Sequence, residues 1–236
     1  MAAIFKREFK SYFISPFGYA ILGAFLFLFG IMFAILYSGG SAETSGLFNN
    51  IFVIIGVMVA LIPVMTMRLM SEDKRLKTDQ ALLTAPVSVT GIVLGKFFAA
   101  FLVFAIGISI TLVFQIIVAC YVSVDWMVYL GCVIGLLLFG AALIAIDLFI
   151  SSLTESQVVA FVCSFAISLA LLMLDFASYL ISNSFVSKLI GWISFSGRYN
   201  AFTSGVFDYS NAIFFLSITA AFLFFSVRAL ESKRWA

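Results

Sequence analysis

Two carboxylates, Asp147 and Asp175, stand inside long apolar runs, where an ionised side chain is costly and is usually retained for a task such as a polar contact along a transport path. Asp147 lies near one end of its run, where interfacial water hydrates it easily, and its role reads as structural. Asp175, toward the far half of a later run, is the better candidate for a translocation path. Covalent chemistry has little to work with. The chain contains no histidine, which removes the usual general base and the commonest metal ligand. Its three cysteines, Cys120, Cys132 and Cys163, match neither a disulfide framework nor a metal site and read as small packing residues. The string GIVLGK, Gly91 to Lys96, has three residues between its glycines and is followed by Phe97. A phosphate loop needs four residues there and then Lys followed by Ser or Thr, so nucleotide binding on this chain is rejected.

The elements that carry these residues follow from composition. Of the 236 residues 64% are hydrophobic and 10% charged, against about 25% charged in a soluble domain. Apolar runs alternate with short polar breaks, and the net charge of +2 is too small to suggest nucleic acid as a partner. The runs Phe17 to Tyr37, Leu47 to Met67, Phe97 to Val122, Trp126 to Ile150, Val158 to Leu180 and Ala212 to Val227 are long enough to span a bilayer. In hydrocarbon they must pair their own backbone groups, so they are helices. The fold class is an all-α, multi-pass membrane protein in which residues 1 to 236 form a single domain of six spans. The first run, behind Lys6, Arg7 and Lys10, looks superficially like a secretory signal, but it is long enough to span and lacks a small-residue cleavage pattern.

Positive charge sets the orientation. Lys6, Arg7, Lys10, Arg68, Lys74, Arg75, Lys77, Lys96, Arg228, Lys233 and Arg234 fall on one side, against only Lys188 and Arg198 on the other, which puts both termini in the cytoplasm. Ahead of the first span, Ile4, Phe5, Phe9, Tyr12 and Phe13 recur at helical spacing with the three cations on the other face. Such a segment, residues 1–16, lies as a helix in the membrane interface, and Pro16 marks the elbow into the bilayer.

Between the second and third spans, Ser71, Glu72 and Asp73 supply a cap and negative charge for a helix start and Pro86 a stop. A short cytoplasmic helix from Ser71 to Ala85 is predicted, although its charges by themselves also suit a solvated face. The outer stretch 181–211 carries Phe185, Leu189, Ile190, Trp192, Ile193, Phe195, Tyr199, Phe202 and Phe207, broken by Gly191, Gly197 and Gly205. It is apolar enough either to dip into the outer leaflet as re-entrant helices or to lie as an aromatic belt. In the fifth span Ala160, Ser164 and Ser168 recur every four residues, with Asp175 near the same face, and Gly131 and Gly135 offer a second small-residue surface. Small residues at this spacing let helices approach closely, within a chain or between chains.

The segment MRLMSEDKRLKTDQALLTAPVSVTGIVLGKF, Met67 to Phe97, resembles the stretch between the second and third helices of ABC-2-type exporter permeases, particularly their gliding-motility-associated branch. ISSLTESQVVA (Ile150 to Ala160), RYNAFTSGVFDYSNAIFFL (Arg198 to Leu216) and the terminal ALESKRWA extend the similarity along most of the chain. The resemblance implies the membrane subunit of an ATP-driven exporter in the plasma (inner) membrane. No cofactor would then sit on this chain, ATP and Mg would be held by a partner ABC ATPase, and a second permease copy or paralogue would complete the assembly. By position it assigns coupling to the ATPase to Glu72, Asp73, Lys74, Arg75, Lys77, Thr78 and Asp79 in the region 68–96. It makes the Ala160, Ser164 and Ser168 stripe the preferred subunit interface. Two other readings remain. A secondary transporter would show internal repeats and more ionisable groups at mid-membrane, and a non-transporting scaffold leaves no distinctive sequence signal.

Overall fold

The elbow at Ser15 and Pro16 sets how the chain enters its bundle. In the computed structural model, which describes residues 2–38, 51–77, 88–180, 191, 192, 194–203 and 208–235, helix α1 (Ala2–Ile14) ends there and α2 (Pro16–Ser38) begins. Proline is tolerated in a first helical turn, where no intrahelical partner needs its missing N–H. The two helices are then followed by α3 (Ile51–Thr66), α4 (Ser71–Arg75), α5 (Val89–Ala119), α6 (Trp126–Leu153), α7 (Gln157–Leu180), α8 (Phe195–Thr203) and α9 (Tyr209–Trp235). All regular structure among the described residues is helical. Six of these helices carry stretches long and apolar enough to cross a membrane, in the order the apolar runs predict.

Two span boundaries moved by well over a helical turn. The third span was expected from Phe97, but α5 starts at Val89, with the Ser88 hydroxyl accepting from Gly91 N at 3.2 Å as its cap. The charge of Lys96 suggested a break, yet its ammonium is neutralised by tertiary partners and the helix runs through it. GIVLGK therefore forms the opening turns of a helix. Likewise α9 extends to Trp235, because a helix continues into polar surroundings after its hydrophobic stretch ends.

Helix α6 is the hub, packing most extensively against α9 and also against α8, α5, α3 and α7. Glycine permits its closest approach. A Cβ on Gly140 would lie 2.2 Å from Phe104 Cε1 on α5. Phe104 in turn meets Phe25 of α2 edge-on, with ring centroids 6.0 Å apart, and Phe25 lies over Gly107. This interlock joins α2, α5 and α6. Helix α1 packs on α5 and α2, burying Ile4 and Tyr12 while Lys6, Arg7 and Lys10 stay exposed, as its amphipathic spacing requires. At the opposite end α8 sets Tyr199 and Phe202 into the core. Of the outer apolar stretch, residues 181–190, Ile193 and residues 204–207 lie outside the described residues.

Candidate functional site

Among the described residues the densest polar chemistry lies where α1, α4, the start of α5 and the end of α6 meet. Helix α4 is five residues long and too short to persist alone. Its sequence suits the helix dipole, with Glu72 and Asp73 in the first turn and Lys74 and Arg75 in the last. Ser71 does not cap it as expected. Met70 occupies the cap position without a side-chain cap, and the Ser71 hydroxyl turns back to donate to Met67 O. The cap comes from α6 instead. Ser151 Oγ accepts from Met70 N at 3.2 Å and Ser71 N at 3.1 Å and donates to Met67 O at 3.4 Å, which uses the full capacity of a hydroxyl.

Lys96 is 1% exposed. Its Nζ lies 2.6 Å from Asp73 Oδ2 and 3.1 Å from Glu8 Oε1, and it donates to Leu69 O at 2.5 Å. One cation thus ties α5 to α1, to α4 and to the segment between α3 and α4. Arg7 reinforces the cluster from its exposed side, 2.5 Å from Glu8 and 3.8 Å from Asp73. Tyr12, one turn from Glu8, donates its hydroxyl to Met65 O at 2.9 Å. Burial, aided by the Glu8 charge, holds that phenol above its ordinary pKa, so it remains a neutral donor. Arg68 forks onto Glu72, Nε to Oε2 at 3.0 Å and Nη2 to Oε1 at 3.3 Å, and lies 4.6 Å over the Phe17 ring.

Of the residues assigned to coupling, Glu72, Asp73 and Lys74 are therefore occupied within the chain. Lys74 is buried and donates to Ser152 O, so it is not part of a solvated face. Arg75 and Lys77 are exposed, and Thr78 and Asp79 lie outside the described residues. The expected run of helix to Ala85 stops early, with Lys77 at φ 55°, and residues 78–87 lie outside the described residues.

The small-residue stripe is also internal. Ala160, Ser164 and Ser168 are 0%, 1% and 1% exposed within a single chain, because α7 turns this face onto α3 and α6. Within one chain those two helices cover the stripe. Asp147, expected to be hydrated at the interface, is fully buried at the same seam. Its Oδ2 is 3.1 Å from Thr66 Oγ1, which also donates to Ile62 O at 2.9 Å. Asp175 belongs to α7, but its side chain lies outside the described residues.

The sequence matches the model of the ABC-2 family transporter proteins over residues 2–231, nearly its whole length. The chain belongs to the ABC-2 transporter family. No curated protein matches it. Family and helices together make this ABC-2 protein a multi-pass membrane component of a transporter, and the family is distinct from the ATPase that powers such systems.

Two members of the ionic cluster escaped sequence reasoning, Glu8 altogether and Lys96 as more than a topology charge. Glu8 did leave a signal, because it sits four residues from both Ile4 and Tyr12, on the stripe that faces the core. Replacing Ser151 with Ala removes the acceptor for two buried N–H groups, each costing about 1–3 kcal/mol when left unpaired. Hydrogen exchange at Met70 and Ser71 is expected to accelerate in this ABC-2 chain while exchange in the middle of α6 stays unchanged. Unchanged protection at both amides would show that Ser151 does not hold α4.

Proposed function

We propose that the chain is the permease subunit of an ATP-binding-cassette exporter, of the gliding-motility-associated branch. Both termini face the cytoplasm, and α4 is the element that receives a separate ATPase. The observation carrying this reading is Lys96, whose buried ammonium joins α4 to α1 and α5, while Ser151 joins α4 to α6. A displacement of α4 by closing ATPase subunits is thereby passed to the interfacial helix and two spans, since rigid packed contacts transmit small shifts. ATP and Mg belong to that partner, and this chain makes and breaks no bonds. A second permease, identical or paralogous, completes a path across the plasma (inner) membrane. Its contact uses a surface other than the Ala160, Ser164 and Ser168 stripe. Asp175 keeps its place along the path, and α8 is one limb of an outer re-entrant region.

The test is co-expression with the cognate ABC ATPase. The two chains are expected to copurify, and ATP hydrolysis in reconstituted vesicles is expected to require both, while a cysteine at position 77 reacts with an impermeant label only after the membrane is opened. Failure to copurify, or labelling of position 77 in intact cells, would overturn the reading.

A further inference from the structure

Helix α1 has three faces. Ile4, Glu8 and Tyr12 turn inward, and Arg7 answers Glu8 and Asp73 on one flank. On the other flank Phe5, Phe9 and Phe13 form a row of rings with centroids 6.0 and 5.0 Å apart. Beside that row an open apolar cleft of about 540 Å³ lies between α1 and α5, lined by Ala2, Phe5, Phe98, Phe101 and Leu102. We propose that this cleft binds the acyl chain of one anionic phospholipid, whose phosphate is held by Lys6 and Lys10 at the rim. Such a site needs no partner subunit.

Depth, charge and position support this occupant. Helix α5 has 31 residues, about 46 Å at 1.5 Å per residue, against a hydrocarbon core of about 30 Å. Its ends therefore reach the headgroup region. Lys96 belongs to the ionic cluster at the polar end, and Phe98, Phe101 and Leu102 follow it within two turns, on the hydrocarbon side. Phe98 and Leu102 are still 43% and 39% exposed, so the cleft opens outward from the bundle. Lys6 adjoins Phe5 and stands one turn after Ala2, with Lys10 one turn further, which puts both cations on the row bordering the cleft. Both are exposed. Among the described residues neither enters an ion pair, in contrast to Arg7 and Lys96. Two cations so placed match a lipid that carries an apolar chain and a negative headgroup, whereas a zwitterionic headgroup brings its own cation to the same place.

The experiment places the full-length chain in phosphatidylcholine nanodiscs doped with phosphatidylglycerol, with one lipid at a time carrying brominated chains. Phe98→Trp supplies a fluorescent reporter in the cleft, and the parent chain supplies the background from its own tryptophans. Brominated phosphatidylglycerol is expected to quench the reporter at mole fractions about thirtyfold lower than brominated phosphatidylcholine needs, about fivefold for each lysine beside an anionic headgroup. Lys6→Gln with Lys10→Gln should abolish that preference without lowering the melting temperature, and Lys6→Arg with Lys10→Arg should keep it. Arg228→Gln, which removes an exposed cation on α9, should keep it too. Equal quenching by both lipids before any charge is removed would make the cleft ordinary lipid-facing surface. A preference that survives the double neutralisation, or falls as far with Arg228→Gln, would take the headgroup away from the two lysines. Either result overturns the site. A reporter that neither lipid quenches would show the cleft covered by protein, a second copy or another subunit, and would overturn it as well.

Discussion

Replacing Lys96 with Met is expected to destabilise the folded chain by about 3 kcal/mol, at the low end of the 3–5 kcal/mol typical for breaking a buried ion pair. Methionine keeps most of the volume, so the loss is electrostatic. It takes the ammonium away from Glu8 and Asp73, whose side chains are 14% and 18% exposed, and leaves the half-exposed Arg7 beside both. The low end applies because both carboxylates retain some water. The same variant leaves Leu69 O without its ammonium donor. Replacing all three charges, Lys96→Met with Glu8→Gln and Asp73→Asn, should recover most of the loss, since a buried charge cluster exchanged as a unit for neutral groups is often close to neutral in stability. Denaturant unfolding in detergent would measure both variants. A single variant as stable as the wild type, or a triple variant no better than the single, would show that the cluster contributes nothing to the fold. The coupled readout is ATP hydrolysis by the complex. If α4 drives the spans through Lys96, the triple variant should bind the ATPase and fold, yet show weakened coupling.

The second large effect is steric. Gly140→Ala places a methyl group 2.2 Å from Phe104 Cε1 and 2.3 Å from its Cζ, far inside van der Waals contact. The ring has nowhere to go, because Phe104 is fully buried and its neighbour Phe25 is itself seated on Gly107, with Cδ2 2.9 Å from a Cβ built there. Overpacking of this kind costs about 1–3 kcal/mol, and this site should fall at the upper end since two helix contacts must shift together. Phe104→Leu also destabilises by itself, but combining it with Gly140→Ala should cost less than the sum of the two. Such non-additivity is expected for residues in direct contact. Strictly additive losses in a thermal-unfolding cycle would show that the two positions do not meet.

Much of the architecture is written in the linear pattern. Hydrocarbon compels runs such as Trp126 to Ile150 and Val158 to Leu180 to pair their own backbone, so their lengths suffice to make them helices, and the structure contains them as α6 and α7. The alternation of Ile4, Phe5, Phe9 and Tyr12 with three cations is likewise a local property of α1, and Pro16 sets the elbow through its own ring. Family membership was carried by short strings dispersed over the chain and needed no coordinates. The occupancy of charges was decided elsewhere. Glu72, Asp73 and Lys74 look alike in sequence to Arg75 and Lys77, and only contacts across long separations distinguish them. Lys96 meets Glu8 from 88 positions away, and Ser151 reaches Met70 from 81. The Ala160, Ser164 and Ser168 spacing specified close helix approach but not which helix. That was settled by α3 and α6 closing over the stripe, since packing between small residues is short-ranged and the sequence encodes the surface without naming its neighbour.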